Sequence, residues 1–457
     1  MFNRWQLRLL VGIAALVGHA AALAAQTDEA LFDDSAVQVI RIVMHDDDWA
    51  TLKARYESND YYPADLSWRG TVTRNVGVRS RGSATRNGIK PGLKVDMNQY
   101  VSGQTFLGLK SLVLDNAYSD PSLLHERISM KMLGRLGVPV PREAPASVWV
   151  NNEYVGAYAV VEPVDKTFLG RVYGERHGVL ENGGYLYEYK WVMPWNFEYL
   201  GPTLEAYQPL FQPQTHEKES MAALYGPIEE LVRTVDEASD ATFRERVGAL
   251  VDLPMLMTQL AAENFMAEFD GLVGNWSLNN VYLYRFTNSS LAQFIPWDKD
   301  STFHGVDHPI DFNLDANVLV RRAMRVPELR QTYLDTLSAA RDIADEPGSD
   351  DPRGWLEREI DRSASLMVAT VEKDPGLPYG YDGFLSEVQS LIEFARARGT
   401  YVACQIGNAE RPDGSRDDCA ATLAASSSAS RWSPRTTSSG KVDRRQIDLP
   451  TKRGYSR

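Results

Sequence analysis

Cysteine is scarce: the 457 residues contain two, Cys404 and Cys419. That excludes a disulfide-rich scaffold, and in an exported chain an even pair closing a short polar loop reads as one disulfide, here over 404–419. Histidine is scarce too, with seven in the chain. His304 and His308 have a four-residue spacing, but Gly305 and Pro309 break the helix that would align them on a zinc ion. No GxGxxG or Walker pattern occurs, no repeat of fixed period is visible, and signatures for a hydrolytic nucleophile are missing. Beyond residue 25 no apolar run approaches the roughly 20 residues of a membrane helix, which leaves the mature chain without a span. Positive charge is also in deficit, 48 Lys and Arg against 61 Asp and Glu, for a net −13. Residues 420–457 alone hold eight Lys/Arg against two Asp, so the body is more acidic than the total. An acidic body argues against nucleic acid and suits basic partners or cations.

What is present is ample core material, 44% hydrophobic and 10% aromatic. At this length a two-lobed protein is expected. Residues 1–25 read as a cleavable signal peptide: Arg4 and Arg8, an apolar Leu9 to Leu23, then Ala22-Leu23-Ala24-Ala25. The alternative is an uncleaved anchor. Export places the protein outside the cell, in the periplasm or in the cell envelope. At the other end, residues 420–457 are rich in Ser, Thr, Arg and Lys and read as a disordered basic tail.

Between these ends, Val37 to Met44 alternates apolar and polar as a half-buried strand, and Asp46-Asp47-Asp48 starts a helix. Trp68 to Ser80 continues the strand pattern. Asp120-Pro121-Ser122 predicts the cap of a helix carrying Leu124, Ile128, Met132 and Leu136, with Glu126 and Arg127 off its apolar stripe. Ser147 to Glu162 reads as a hairpin turning at Asn151-Asn152. From Gly183 to Thr215, Trp, Tyr and Pro follow no period, which suits either a cleft lining or a cover for the core. Helical spacing recurs at 220–238, 241–250, 328–344, 354–372 and 381–397.

The stretch from Ala261 to His304 concentrates acidic and amide side chains in an apolar neighbourhood. A helical run from Leu253 empties into a loop with Asp270, Asn275, Asn279 and Asn280. The strand Val281 to Phe286 and a second strand from Ala292 to Ile295 follow, then Pro296-Trp297-Asp298-Lys299-Asp300. A loop Asp, an Asn a few residues on, a hairpin and an Asp just past it form the layout of a phosphotransfer site. Two carboxylates directly after buried residues repel each other unless a cation sits between them. Further upstream, Arg81-Gly82-Ser83 and Arg86 form a Gly/Ser loop flanked by Arg, followed by Lys90 and Lys94, which suits phosphate oxygens.

NNVYLY followed by IPWDKDSTFHG resembles the signature of the CotH (spore coat protein H) family of atypical protein kinases. The Arg81 loop and the Asn-Asn-Glu-Tyr-Val-Gly-Ala-Tyr…Glu-Pro-Val-Asp hairpin resemble its other motifs, in the same order. The resemblance covers about Val37 to Arg398. It implies an α+β, two-lobed kinase-like fold, with a mainly antiparallel β N-lobe over 36–162 and a mainly α-helical C-lobe over 163–403. It further implies ATP with Mg²⁺ or Mn²⁺ as cofactors and Asp270 as catalytic base. Asn280, Asp298 and Asp300 would lie on the metal, and Arg81, Gly82, Ser83, Arg86 and Lys90 or Lys94 on the phosphates. Glu126 is implied as partner of the strand lysine, and Glu162 marks the hinge beside the adenine. The acceptor class is Ser or Thr of a basic, Ser-rich protein. In compact relatives the base stands where this chain has Asn275; if that is the equivalent position, the protein is a catalytically inactive binding protein.

Overall fold

The computed structural model describes residues 26–424 and 432–434, His177 and Pro412 excepted. The leader read at 1–25 and most of the basic tail therefore lie outside the described residues. The chain is α+β: a β-rich first half is followed by a mainly helical second half.

After a one-turn helix α1 (Asp28–Leu31), seven strands close into a barrel: β1 (Gln38–Met44), β2 (Tyr62–Trp68), β3 (Thr71–Arg81), β4 (Gly92–Asp96), β5 (Ser111–Asp115), β6 (Glu143–Val150) and β7 (Glu153–Val161). The order is β1-β2-β3-β4-β5-β7-β6, antiparallel throughout except where β6 meets β1 in parallel and closes the ring. The alternation read in β1 is its burial pattern, with Ile40 and Ile42 inside and Val39 and Val43 exposed. Helix α2 (Asp46–Ala54) begins at the three aspartates, its first turn capped by His45 Nδ1 accepting from Asp47 N. The single strand read at Trp68 to Ser80 is two strands, because Arg69 and Gly70 both adopt positive φ and turn the chain between β2 and β3.

Helix α3 spans His125–Arg135 and begins later than Asp120-Pro121-Ser122 suggests. These residues form a turn in which Asp120 Oδ1 accepts from Ser122 N, while Oδ2 reaches forward to His125 N. Arg127, read as lying off the apolar stripe, is buried.

The helical half opens with α4 (Lys166–Tyr173) and two short strands, β8 (Glu175–Arg176) and β9 (Val179–Leu180). Strands β10 (Tyr185–Tyr189), β11 (Phe211–Pro213), β12 (Val281–Arg285) and β13 (Ala292–Pro296) form a second sheet, β11-β10-β12-β13. The aperiodic aromatic stretch thus supplies two strands, and its Tyr187, Tyr189, Trp195, Phe197, Tyr207 and Phe211 are buried in the main core. The helices are α5 (Met221–Glu237), α6 (Phe243–Gly248), α7 (Leu253–Phe265), α8 (Val318–Ala323), α9 (Pro327–Asp345), α10 (Trp355–Val371), α11 (Gly380–Glu410) and α12 (Cys419–Ala424). A disulfide joins Cys404 to Cys419. The helix α12 and the packing of Trp432 against the core, with its indole N–H on Asp361, carry structure past residue 419, where the sequence reading starts a disordered tail.

One core fills the barrel and another the helical half. Between them lies a third cluster, with Val113 and Val161 from the outer barrel face and Tyr282, Tyr284, Ile295 and Trp297 from β12, β13 and the residue after β13. This junction positions the candidate site.

Candidate active site

The period of two along a strand decides which barrel residues reach the junction. Val78, Leu93, Val95, Leu112 and Leu114 point into the barrel. Their alternates Arg79, Arg81, Lys94 and Asp115 share the outer face, since Arg79 pairs with Lys94 and Lys94 with Val113. Arg81 Nη1 donates to Asp115 Oδ2 at 2.7 Å, and its guanidinium lies 5.8 Å from the centre of the Trp297 ring. Asp115 fixes the fork of Arg81 toward the end of the β12–β13 hairpin. Asp115 belongs to no motif in the sequence and ends an ordinary apolar strand.

Across the junction, the loop after α7 presents Asp270. Asn279 Nδ2 donates to both of its carboxylate oxygens at 3.0 Å, and Asn280 Nδ2 donates to Oδ2 at 3.0 Å. Burial raises the Asp270 pKa above the usual carboxylate range, against the lowering effect of these amides. The Asn275 side chain is exposed and takes no part in this hydrogen bonding. The amide of Asn279, which the sequence places in the loop without a role, contacts both oxygens of the base candidate.

Asp298 follows β13 with φ +51, a left-handed conformation that turns the chain sharply after Trp297. Burial, reinforced by Asp115, pushes its pKa up to about 6, and Arg81 only partly opposes this. Asp300 is driven well above the normal range by burial and by Asp298. Glu126, in the first turn of α3, is likewise raised by burial and by Glu143, Asp298 and Asp115. Glu143 at the start of β6 is pushed up to about 8, chiefly by burial. Asp300 is anchored through its main chain: its carbonyl accepts from His125 Nδ1 at 3.0 Å, and His125 Nε2 reaches Glu387 at 3.2 Å. Against the cost of burial, Asp120 above all, then Glu387 and the Asp300 carbonyl, raise the His125 pKa to about 9 and favour the imidazolium.

The remaining sequence candidates are dispersed. Lys90 is buried, and its Nζ is 2.8 Å from Asp374 Oδ2, so its charge serves a contact between the barrel and the helical half. Arg86 bonds the carbonyls of Gly82 and Glu57 and the side chain of Asn59, fastening the 82–91 loop. Gly82 takes φ +111, and Ser83 is exposed at the loop's start. Glu162 binds Arg142 and Arg171 through its carboxylate. Lys94 differs from all of these: it has no ion pair among the described residues, and its electrostatic neighbours are Arg79, Asp96, Glu188 and Arg81. Glu126 lies beside Arg81 rather than among the neighbours of Lys94.

The cleft therefore sets cations on the barrel side, Arg81 and Lys94, against a fixed carboxylate and half-buried acids on the other. Among the described residues no three Asp, Glu, His or Cys converge into a ready metal cage. Mg²⁺ is usually held by one or two carboxylates together with water and substrate phosphates, so a complete protein cage is not required. Asp298, which accepts no hydrogen bond among the described residues and lies among other acids, has the hard oxygen chemistry such an ion takes.

A family model described as CotH kinase protein matches residues 78–402. The inner spore coat protein H of Bacillus subtilis (strain 168) is 24% identical over 307 residues, 66% of this chain and 80% of that protein. The crystal structure of a Helicobacter pylori proinflammatory kinase, CtkA, aligns with 69% of this chain and 94% of its own at 12% identity, with a TM-score of 0.24.

Proposed function

Because this chain belongs to the CotH kinase protein family, we propose that it transfers the γ-phosphoryl group of ATP to a Ser or Thr hydroxyl of an exported or envelope protein. The observation that carries this reading is the double amide grip on Asp270 by Asn279 and Asn280, facing the Asp298 loop. A general base must be oriented before it is useful, and both oxygens of Asp270 are fixed by amides, with no direct ion pair to Asp270 among the described residues. Asp270 would accept the proton of the acceptor hydroxyl as its oxygen attacks phosphorus. Asp298, with Asp300 and the side-chain oxygen of Asn280, would hold Mg²⁺ or Mn²⁺. The ion supplies neutralisation of charge on the transferring group. Arg81, oriented by Asp115, and the unpaired Lys94 would hold phosphate oxygens beside the Gly82-Ser83 turn. Lys90, Arg86 and Glu162 are left out of this set because their charged groups are engaged elsewhere.

Calorimetry with ATP and Mg²⁺ or Mn²⁺ tests the binding half, and ³²P transfer to a basic, Ser-rich polypeptide tests the chemistry. Asp270→Asn is expected to retain nucleotide affinity and lose transfer by about 10²–10⁴-fold. No nucleotide binding by the wild-type chain would overturn the reading. Binding without transfer would leave a nucleotide-binding protein.

A further inference from the structure

The tip of the Asp270 to Asn280 loop carries Trp276, which is 56% exposed. Its carbonyl accepts a 2.6 Å hydrogen bond from the indole N–H of Trp191, itself 43% exposed, and Val192 and Met193 beside Trp191 are 54% and 43% exposed. Trp191 and Trp276 are the exposed tryptophans among the described residues. Single exposed apolar residues are ordinary, but a contiguous ridge including two indoles is characteristic of a binding surface.

What adjoins the ridge indicates its occupant. The segment from His304 to Ala316 packs against the same loop: Phe269 meets His304 with ring centres 4.3 Å apart and planes tilted by 43°, and also meets Phe312, while Asn313 Nδ2 donates to the carbonyl of Gly274. The segment exposes Asp307, Asp311 and Asp315, and none of them forms a salt bridge among the described residues. Apolar ridge and unpaired acids thus flank one loop, the loop that holds Asp270.

We infer that this face docks the acceptor polypeptide, with an apolar or aromatic side chain on the Trp191–Trp276 ridge and basic side chains on Asp307, Asp311 and Asp315. The inference rests on the phosphotransfer reading for the word acceptor, but the docking itself is measurable without turnover. Large amphipathic rings are the side chains that dominate peptide contacts, and uncompensated acids around them select for positive charge.

The experiment uses the full chain and two synthetic peptides, each a Ser flanked by Arg, with Phe in one and Gly in the other at the neighbouring position. Binding is read by fluorescence anisotropy, and ATP binding is measured in parallel by calorimetry. The expected result is about tenfold tighter binding of the Phe peptide. Trp276→Ala should lose that preference and Trp276→Phe should keep it, with nucleotide affinity unchanged in both. Asp311→Lys with Asp315→Lys should weaken both peptides equally. Equal binding of the two peptides by the wild type, or binding of neither, overturns the proposal. So does a dimer that Trp276→Ala dissociates, which would assign the ridge to a second copy. Binding that emerges only after removal of residues 435–457 would assign it to the chain's own tail. Phe preference without any nucleotide binding keeps the docking surface and removes the phosphotransfer reading, so the two failures are distinguishable.

Discussion

Lys299 Nζ stands 3.2 Å from Glu263 Oε1 in the interior, the two side chains 0% and 1% exposed. The pair connects the two halves of the candidate site. Glu263 also accepts the N–H of Leu272, and Glu268, 4.0 Å from the same ammonium, accepts the N–H of Asp270. The middle residue of Asp298-Lys299-Asp300 thus turns inward and fastens the Asp270 loop to the loop of the two aspartates.

Lys299→Met should accordingly cost about 3–5 kcal/mol of stability, because it strands two buried carboxylates without a cation. Chemical denaturation measures this. An unchanged midpoint would show that the network is dispensable.

Asp298→Asn should act in the opposite direction on the ion-free protein. An amide removes a carboxylate that burial and Asp115 disfavour, and Asn tolerates the positive φ at this position. The melting temperature without divalent ions should rise, while metal-dependent nucleotide binding is lost. A variant that melts lower and binds nucleotide normally would remove Asp298 from the metal.

Lys94, proposed for phosphate, and Lys90, engaged by Asp374, should separate by phenotype. Lys90→Ala leaves Asp374 buried without its cation and should cost several kcal/mol, on the order of that for breaking a buried pair. Lys94→Ala should leave the melting temperature nearly unchanged and weaken ATP binding. Calorimetry of both variants checks the assignment, and a stable Lys90→Ala with weakened ATP binding would reverse it.

The pH dependence of the ion-free protein follows from groups whose folded pKa values are all raised. Asp298 is raised to about 6, Glu143 and Glu268 to about 8, and His125 to about 9. The folded state binds protons more tightly than the unfolded one at each group. For the three acids the contribution is complete below their ordinary values and is lost as pH rises through 6 to 8. For His125 it is complete below about 6.5 and lost toward 9. Stability should therefore fall from pH 6 to pH 9 in thermal melts, and added Mg²⁺ or Mn²⁺ should flatten the slope if Asp298 holds the ion. A rising profile would contradict the buried-acid arrangement.

Much of this was legible from residue order. The β12–β13 hairpin and the long helices follow from periodicity, because their burial is one-sided or complete over many residues, and the Asp298 loop follows from the Pro296 to Asp300 run just past the hairpin. The separation of Lys90 from Lys94 was not legible. Their four-residue spacing crosses from a loop into β4, and only the pairing of Arg79 with Lys94 settles which one faces the junction. Nor could Glu126 be distinguished from a solvated helix residue: the acids that raise its pKa, Glu143 on β6 and Asp298 after β13, are distant in sequence. Lys299 carries no signal of its inward turn between two acids, and its partner Glu263 lies in an otherwise apolar helix.

Asp374 gives one further consequence. It sits between α10 and α11, and its carboxylate takes Lys90 Nζ and the N–H of Ala157 on β7, with Tyr154 of the same strand bonded to the carbonyl of Thr370 nearby. Gly156 adopts φ +154 there, and a Cβ would approach Asp374 Oδ1 to 2.7 Å. The barrel is riveted to the helical half at this point. A rivet of this kind resists rocking of one half against the other, and because Lys90 is one of its two members it also pins the end of the 82–91 loop. Gly156→Ala would act as a wedge at the rivet, prying the halves apart without touching the cleft.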